Sequence, residues 1–313
     1  MDANVNPNQI VVTAGGYEQC DKASSTSGTI SDLLISNHEE ADTRILLHAK
    51  DAANNGYSRI VVQCQDTGVL VMLVSMFREI HADEIWMSKG PSSKKIFVPV
   101  HAIFSGISPD VRKSLIGFHL ITGCDTTSQP NGIGKKTAWE VYLKNPKLLA
   151  EIGVGTLSDS GIKSAEDFFI SIYSRSLQNT ESLESIDELR ELLFGKKTPE
   201  MLPPTHASLK LHIQRAHYQA FVWKKALEAK PLLPSILDCG WYDDNGELKP
   251  KLMGNCPFPP TYKHLLQCGC TTDCARSKCV CTVNKLPCLK VCGSSLEECK
   301  NMYSNKDDEV DRV

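Results

Sequence analysis

Apolar and polar positions alternate along this chain in two regimes. In the first hundred residues, short apolar runs alternate with helical patterning. IVVTA (10–14) reads as a short strand, and the Gly-, Ser- and Thr-rich stretch 15–32 reads as a loop. From Asn37 to about Asn55 the pattern is helical, with Ala41, Ile45, Ala49 and Ala52 near one face. RIVVQCQ (59–65) has strand character, a helical segment follows to about Glu79, and ADEIWMS and IFVPV read as further strands. Strand alternating with helix predicts an α/β fold around a parallel sheet. After residue 108 the pattern turns helical, with segments expected at 162–178, 185–195 and 205–228. Residues 229–260 are proline-rich with an acidic DDNG turn and read as an ordered linker of low regularity. The tail after Met302 is polar and reads as disordered.

Composition narrows the classes. A charged fraction of 23% and a hydrophobic fraction of 41% are ordinary for a globular protein, and the net charge of −3 offers no global attraction to nucleic acid. Binding to nucleic acid would then need a local basic patch. The apolar run VLVMLV (69–74) is too short to span a bilayer. The polar N-terminus lacks a secretory pattern. Of 13 cysteines, Cys20, Cys64, Cys124, Cys239 and Cys256 are scattered, and the rest crowd into 268–299. Clustering without a secretory signal argues for a reducing compartment and a metal site rather than disulfides. An intracellular protein is expected, nuclear sooner than cytoplasmic.

Candidate chemistry sits at element ends. Glu39, Glu40 and Asp42 open the first long helix. Asn37 with Glu40 has capping-box spacing, so helix capping is one reading of these acids. Asp66 follows a strand and precedes a helix, where it serves either as an N-cap or at a ligand site beyond the strand ends. Asp125 sits in a turn of small residues. Glu40, Asp42, Asp66 and Asp125 together form a candidate site for Mg²⁺ or Mn²⁺, hard ions held by carboxylates. Gly132-Ile133-Gly134-Lys135-Lys136-Thr137-Ala138 fits the helix-hairpin-helix pattern. There Gly132 and Gly134 let backbone approach a phosphate while Lys135 and Lys136 supply charge. A helix start after a glycine loop is the plainer alternative.

The order Glu40-Ala41, strand then Asp66, then Gly123-Cys124-Asp125 and Gly132-Ile133-Gly134-Lys135-Lys136 resembles the flap-endonuclease (PIN-like) nucleases over residues 35–145. The resemblance implies a partial PIN-like parallel sheet carrying a helix-hairpin-helix, metal-dependent phosphodiester hydrolysis, and binding to DNA or branched nucleic acid. The family's first helix acid falls at His38, with Asp42 as substitute, and the second acid of its Asp-x-Asp falls at Gly68. Its first acid-bearing strand has no counterpart among the roughly 36 residues upstream, so an upstream or partner chain would complete the domain. The wording HEEADTRI…TGCDTTS also resembles animal proteins tied to mobile elements. The competing expectation is a zinc-containing scaffold without catalysis.

The cysteine cluster reads C-x-C-x₃-C-x₄-C-x-C-x₆-C-x₃-C-x₆-C. Such density suits soft thiolate ligation of Zn²⁺, with some sulfurs bridging ions. The pattern resembles the tesmin-type CXC module. On that resemblance Cys268, Cys270, Cys274, Cys279, Cys281, Cys288, Cys292 and Cys299 are ligands for about two to three zinc ions. A further ligand position falls on Ser294, and Cys256 is a candidate substitute. Arg276, Lys278, Lys285 and Lys290 lie between the thiolates, giving either a DNA-binding face or a solvated one. The expected layout is an N-terminal strand and loop (1–34), the nuclease-like region (35–145), a helical region (146–228), the linker (229–260), the zinc module (261–302) and the tail (303–313). His38, His48, His81, His101 and His119 lack metal spacing, and Trp139 and Trp223 read as packing residues.

Overall fold

A computed structural model describes residues 9–19, 21–175, 177, 183–194, 196–251, 268–271, 274, 279–284, 286–288, 292 and 299–301. The chain divides into two compact units, 1–252 and 253–313.

The first unit is mixed α/β. A small antiparallel pair, β1 (Val12–Ala14) and β2 (Ala23–Ser25), precedes α1 (Ala41–Asn54) and β3 (Arg59–Gln63). Then come α2 (Thr67–Ser75), α3 (Phe77–Ile80), β4 (Glu84–Lys89) and β5 (Ile96–Pro99). In the sheet order β3-β4-β5, β3 pairs parallel with β4 in the register Arg59↔Glu84, as the strand–helix–strand alternation predicts. β5 corrects the expectation of an all-parallel sheet: it pairs antiparallel with β4, Lys89 opposite Ile96. Only six residues join the two strands, a length that suits a hairpin and is too short for a parallel crossover.

Helices supply the rest: α4 (Val100–Gly106), α5 (Pro109–Ile121), α6 (Lys135–Tyr142), α7 (Asp159–Ser174), α8 (Ile186–Leu193) and α9 (His206–Lys224). Their starts follow local chemistry. Ser108 caps α5 with Pro109 at its first position, and Ser158, Ser185 and Thr205 cap α7, α8 and α9. α2 is apolar almost all round, and Val69, Met72 and Leu73 are fully buried beneath its neighbours. Phe118 of α5 stacks on Tyr142 of α6 at 4.5 Å between ring centroids, and the Tyr142 hydroxyl donates to the Val111 carbonyl at 2.8 Å. That contact pairs α5 with α6 across a long loop.

The described part of the expected linker begins without regular structure (229–235) and then becomes regular. β6 (Trp241–Asp244) and β7 (Glu247–Pro250) form a hairpin whose turn residues Asn245 and Gly246 both have positive φ, the type I′ geometry that an Asn-Gly pair favours. This hairpin belongs to the first unit, so residues 229–251 are not a spacer between units. Among the described residues no helix is long and apolar enough to cross a membrane.

In the second unit the described residues are mostly cysteines and their neighbours, with one short helix, α10 (Val280–Val283). Cys256, Arg276, Lys278, Lys285, Lys290, Ser294 and the tail lie outside the described residues.

Candidate acidic cleft and thiolate cluster

The four candidate acids meet at one place. Glu40, Asp42, Asp66 and Asp125 line a single cleft of about 600 Å³, together with Lys135, His119, Cys124 and residues of α9. Each arrives from a different local cause. Glu40 stands at the N-cap position of α1, and Asp42 lies in its first turn. Asp66 ends the β3–α2 connection, and Asp125 lies in the loop after α5. That loop is folded by its small hydroxyls: Thr122 donates to Phe118 O at 2.7 Å, Thr127 donates to Leu120 O at 2.6 Å, and Cys124 and Thr127 form a two-way backbone bridge.

The capping readings separate here. α1 begins at Ala41, so Asn37 does not cap it, and the Glu40 carboxylate makes no cap hydrogen bond. It reaches α9 instead, accepting from Gln219 Nε2 at 2.9 Å and from Trp223 Nε1 at 3.1 Å. Both oxygens are therefore engaged by neutral donors about 180 residues away, and a ring that reads as packing is also an anchor. Asp66 does cap its helix, accepting from the Gly68 amide, and it also faces the cleft. Asp42 carries the electrostatic sign of convergence. Its carboxyl is raised above the ordinary range, first by burial and then by the charges of Asp66, Glu40 and Asp125.

Gly68 takes its meaning from the same place. A Cβ on Gly68 would lie 2.6 Å from the Trp223 ring, so the indole fills the space that the second acid of an Asp-x-Asp pair would need.

The basic side of the cleft is internally committed. Lys135 Nζ donates to His119 Nδ1 and to the His119 carbonyl, both at 3.1 Å. A donating ammonium makes Nδ1 the acceptor, so His119 is neutral with its proton on Nε2. Burial and then the Lys135 charge pull His119 down to about 4, and its ring stacks on Trp223 at 5.7 Å. Lys135 is itself lowered by burial, partly offset by Cys124 and Asp66. Gly134 stands at the N-cap position of α6 and Lys136 is exposed. Gly132 has φ +71°, and a Cβ there would strike the Met201 side chain. The Gly-Ile-Gly turn thus starts a helix after a tight approach, with Lys135 turned into the cleft. His119, Gln219 and Trp223 escape a sequence reading because no local spacing ties them to the acids.

The second unit concentrates thiols. Among the described residues none of the eight candidate cysteines is in a disulfide; seven are buried and Cys270 is half-buried. Sγ atoms approach at 3.6 Å for Cys268–Cys274, 3.9 Å for Cys268–Cys288 and Cys279–Cys288, and 3.8 Å for Cys281–Cys292. Disulfide sulfurs would lie near 2.0 Å. The edge of a tetrahedron of sulfurs each about 2.3 Å from a central zinc is about 3.8 Å. Three groups have all ligand atoms within 4.8 Å of one another: Cys268, Cys279, Cys281 and Cys288; Cys268, Cys270, Cys274 and Cys279; and Cys274, Cys288 and Cys299. Four cysteines recur between groups, which is the arrangement bridging thiolates require. Burial pushes Cys281 up to about 12 and raises Cys288 as well, so without a cation these thiols keep their protons. The cluster fits a thiophilic metal such as zinc. Among the described residues the acids of the cleft do not form so close a group.

Comparison with known proteins found no matching family model, no matching curated protein and no matching solved structure.

Proposed function

We propose that the first unit is a nucleic-acid-binding domain of PIN-like nuclease descent, whose cleft seats one divalent cation against a phosphodiester. The observation that carries this reading is the convergence of Asp42, Asp66 and Asp125, far apart in sequence, on one cleft beside Lys135. The donor set fits Mg²⁺ or Mn²⁺, which take oxygen ligands, and a cation would relieve the crowding that raises Asp42. Gln219 and Trp223 fix the orientation of the Glu40 carboxylate at the cleft, and each of its oxygens keeps a lone pair for the ion. When bound, such an ion polarises a phosphoryl oxygen and activates water. Lys135 neutralises charge at the rim, and His119, held neutral, keeps Lys135 aimed.

The second unit is proposed to be a CXC-type cluster of about two to three zinc ions bridged by shared thiolates. The three overlapping cysteine groups support that count. Its basic residues would give it a share in DNA binding.

A second reading, a scaffold that binds without cutting, is favoured by a specific feature. Trp223 occupies the space beside Gly68, which leaves one acid fewer than a two-ion site uses. One experiment separates the readings. The full chain is incubated with flap and duplex DNA plus Mg²⁺ or Mn²⁺, and both binding and cleavage are followed. Cation-dependent binding lost in Asp125→Ala supports the proposal, and cleavage lost in the same variant makes it an enzyme. Binding without cleavage supports the scaffold, and binding indifferent to both cation and Asp125 refutes the cleft's role.

A further inference from the structure

A second cavity, of about 370 Å³, lies between α1, the end of α2, α3, α5 and α9 and shares no lining residue with the acidic cleft. Its walls carry four cations: Lys50, Arg112, Lys113 and Lys224. None of them has a carboxylate within ion-pair distance among the described residues. Lys224 Nζ donates to the Ile152 carbonyl at 2.7 Å, Lys50 Nζ to the Leu227 carbonyl at 3.5 Å, and Arg112 to the carbonyls of Phe104 and Ile107 at 2.7 Å each. The two acids present, Glu79 and Glu228, are exposed, and Glu228 is already paired with Lys225 at 2.6 Å. At the floor, the Ser75 hydroxyl oxygen is buried with no hydrogen-bond partner.

Each of these features is costly in isolation. Ammonium groups that share a partly desolvated space repel, and a buried hydroxyl without a partner has lost the hydrogen bond it made to water. One ligand type answers both: a compact anion carrying two charges and several acceptor oxygens. We propose that this cavity is a phosphate site, taking the phosphate group of a nucleotide, with Lys224 and Lys113 as the principal charges and Ser75 as a donor. The volume falls within the range of small-molecule sites, about 300–1,000 Å³, and exceeds what a bare phosphate fills, so an attached sugar is accommodated. A carbonyl contact already holds Lys224 in place, which lowers the ordering cost of binding, whereas the Arg112 guanidinium is committed to Phe104 and Ile107 and serves as wall. Burial, with the Lys113 charge second, brings Lys224 down to about 8, a cost that a bound anion removes.

The proposal does not rest on the acidic cleft, and its test keeps the two apart. The zinc-loaded full chain is titrated calorimetrically with inorganic phosphate, with a nucleoside monophosphate and with a short oligothymidylate, with no magnesium or manganese added. Saturable binding is expected, weakened at least tenfold in Lys224→Met and in Lys113→Glu. Lys113 is exposed, so Lys113→Glu should melt where the parent does, and weakened binding in that variant is then not unfolding. Competition by the oligonucleotide identifies the ligand as a strand phosphate, and its failure to compete identifies a free nucleotide. Absence of saturable binding by all three probes, or equal affinity in Lys224→Met, overturns the proposal.

Discussion

Phe168 in α7 and Cys288 in the second unit are both fully buried, but different forces bury them. Phe168 packs edge-on against Phe118 and Phe169 inside a continuous apolar core that runs through the helices of the first unit. Cys288 is surrounded by other sulfurs, and the buried cluster of the second unit consists of cysteines alone among the described residues. In the first unit the core forms the fold, and the cleft is a by-product of where that core brings element ends. In the second unit the candidate ligands are the core. A fold built the first way does not depend on a metal; a core made of thiols alone does.

The largest effect expected follows from that contrast. Removing metal from the full chain with a strong chelator should unfold the second unit, since structural zinc contributes about 10–16 kcal/mol in small modules. All eight clustered thiols should become reactive to a thiol reagent. The four tryptophans, Trp86, Trp139, Trp223 and Trp241, all lie in the first unit, so tryptophan fluorescence should keep its thermal transition. A transition lost together with the metal would break the comparison.

Acid should probe the first unit more gently. His119 is held down at about 4 against an ordinary 6.5, so between these values the unfolded chain binds the extra proton. Stability is complete above about 6.5, falls as pH drops towards 4, and from this group loses no more below that. The shift corresponds to about 3 kcal/mol. His38, His48, His212 and His217 are lowered by burial too and act in the same direction. Denaturant melts at neutral and mildly acidic pH, read by tryptophan fluorescence, should show a shallower pH slope in His119→Gln; an unchanged slope would remove His119 from the account.

The smallest change sharpens the role of α9. Trp223→Phe keeps a ring beside Gly68 and His119 but deletes the donor to Glu40. A loss of about 1–3 kcal/mol is expected, because one carboxylate oxygen is left without its partner. Chemical denaturation measures it, and zinc content should be unchanged. A variant as stable as the parent would mean that the indole serves only as packing.

The parts legible in the sequence are those whose cause is local. The helices at α7, α8 and α9 follow from periodicity and caps, the parallel β3–β4 pair follows from strand–helix–strand order, and the cysteine cluster follows from spacing. β5 was harder to place, because an apolar run predicts a strand but not its direction. The 241–250 hairpin was hidden by prolines at its edges, although its Asn245-Gly246 turn was a local cue. Asp66 was readable as both cap and cleft acid, and it is both. The Asn37–Glu40 box fails because α1 starts at Ala41, which puts Glu40 itself at the N-cap position, and its carboxylate reaches Gln219 and Trp223 on α9.

By itself the sequence determined which residue types were present at element ends, and that residues 268–299 carry cysteines dense enough to stand in for a hydrophobic core. Those properties depend on neighbours within a few positions. Tertiary structure alone decided that Asp42, Asp66 and Asp125 share a cleft, that Trp223 fills the space beside Gly68, and that Lys113 and Lys224 face one cavity. Each of these is a distance between residues remote along the chain, set by how apolar faces pack, and no local spacing encodes it.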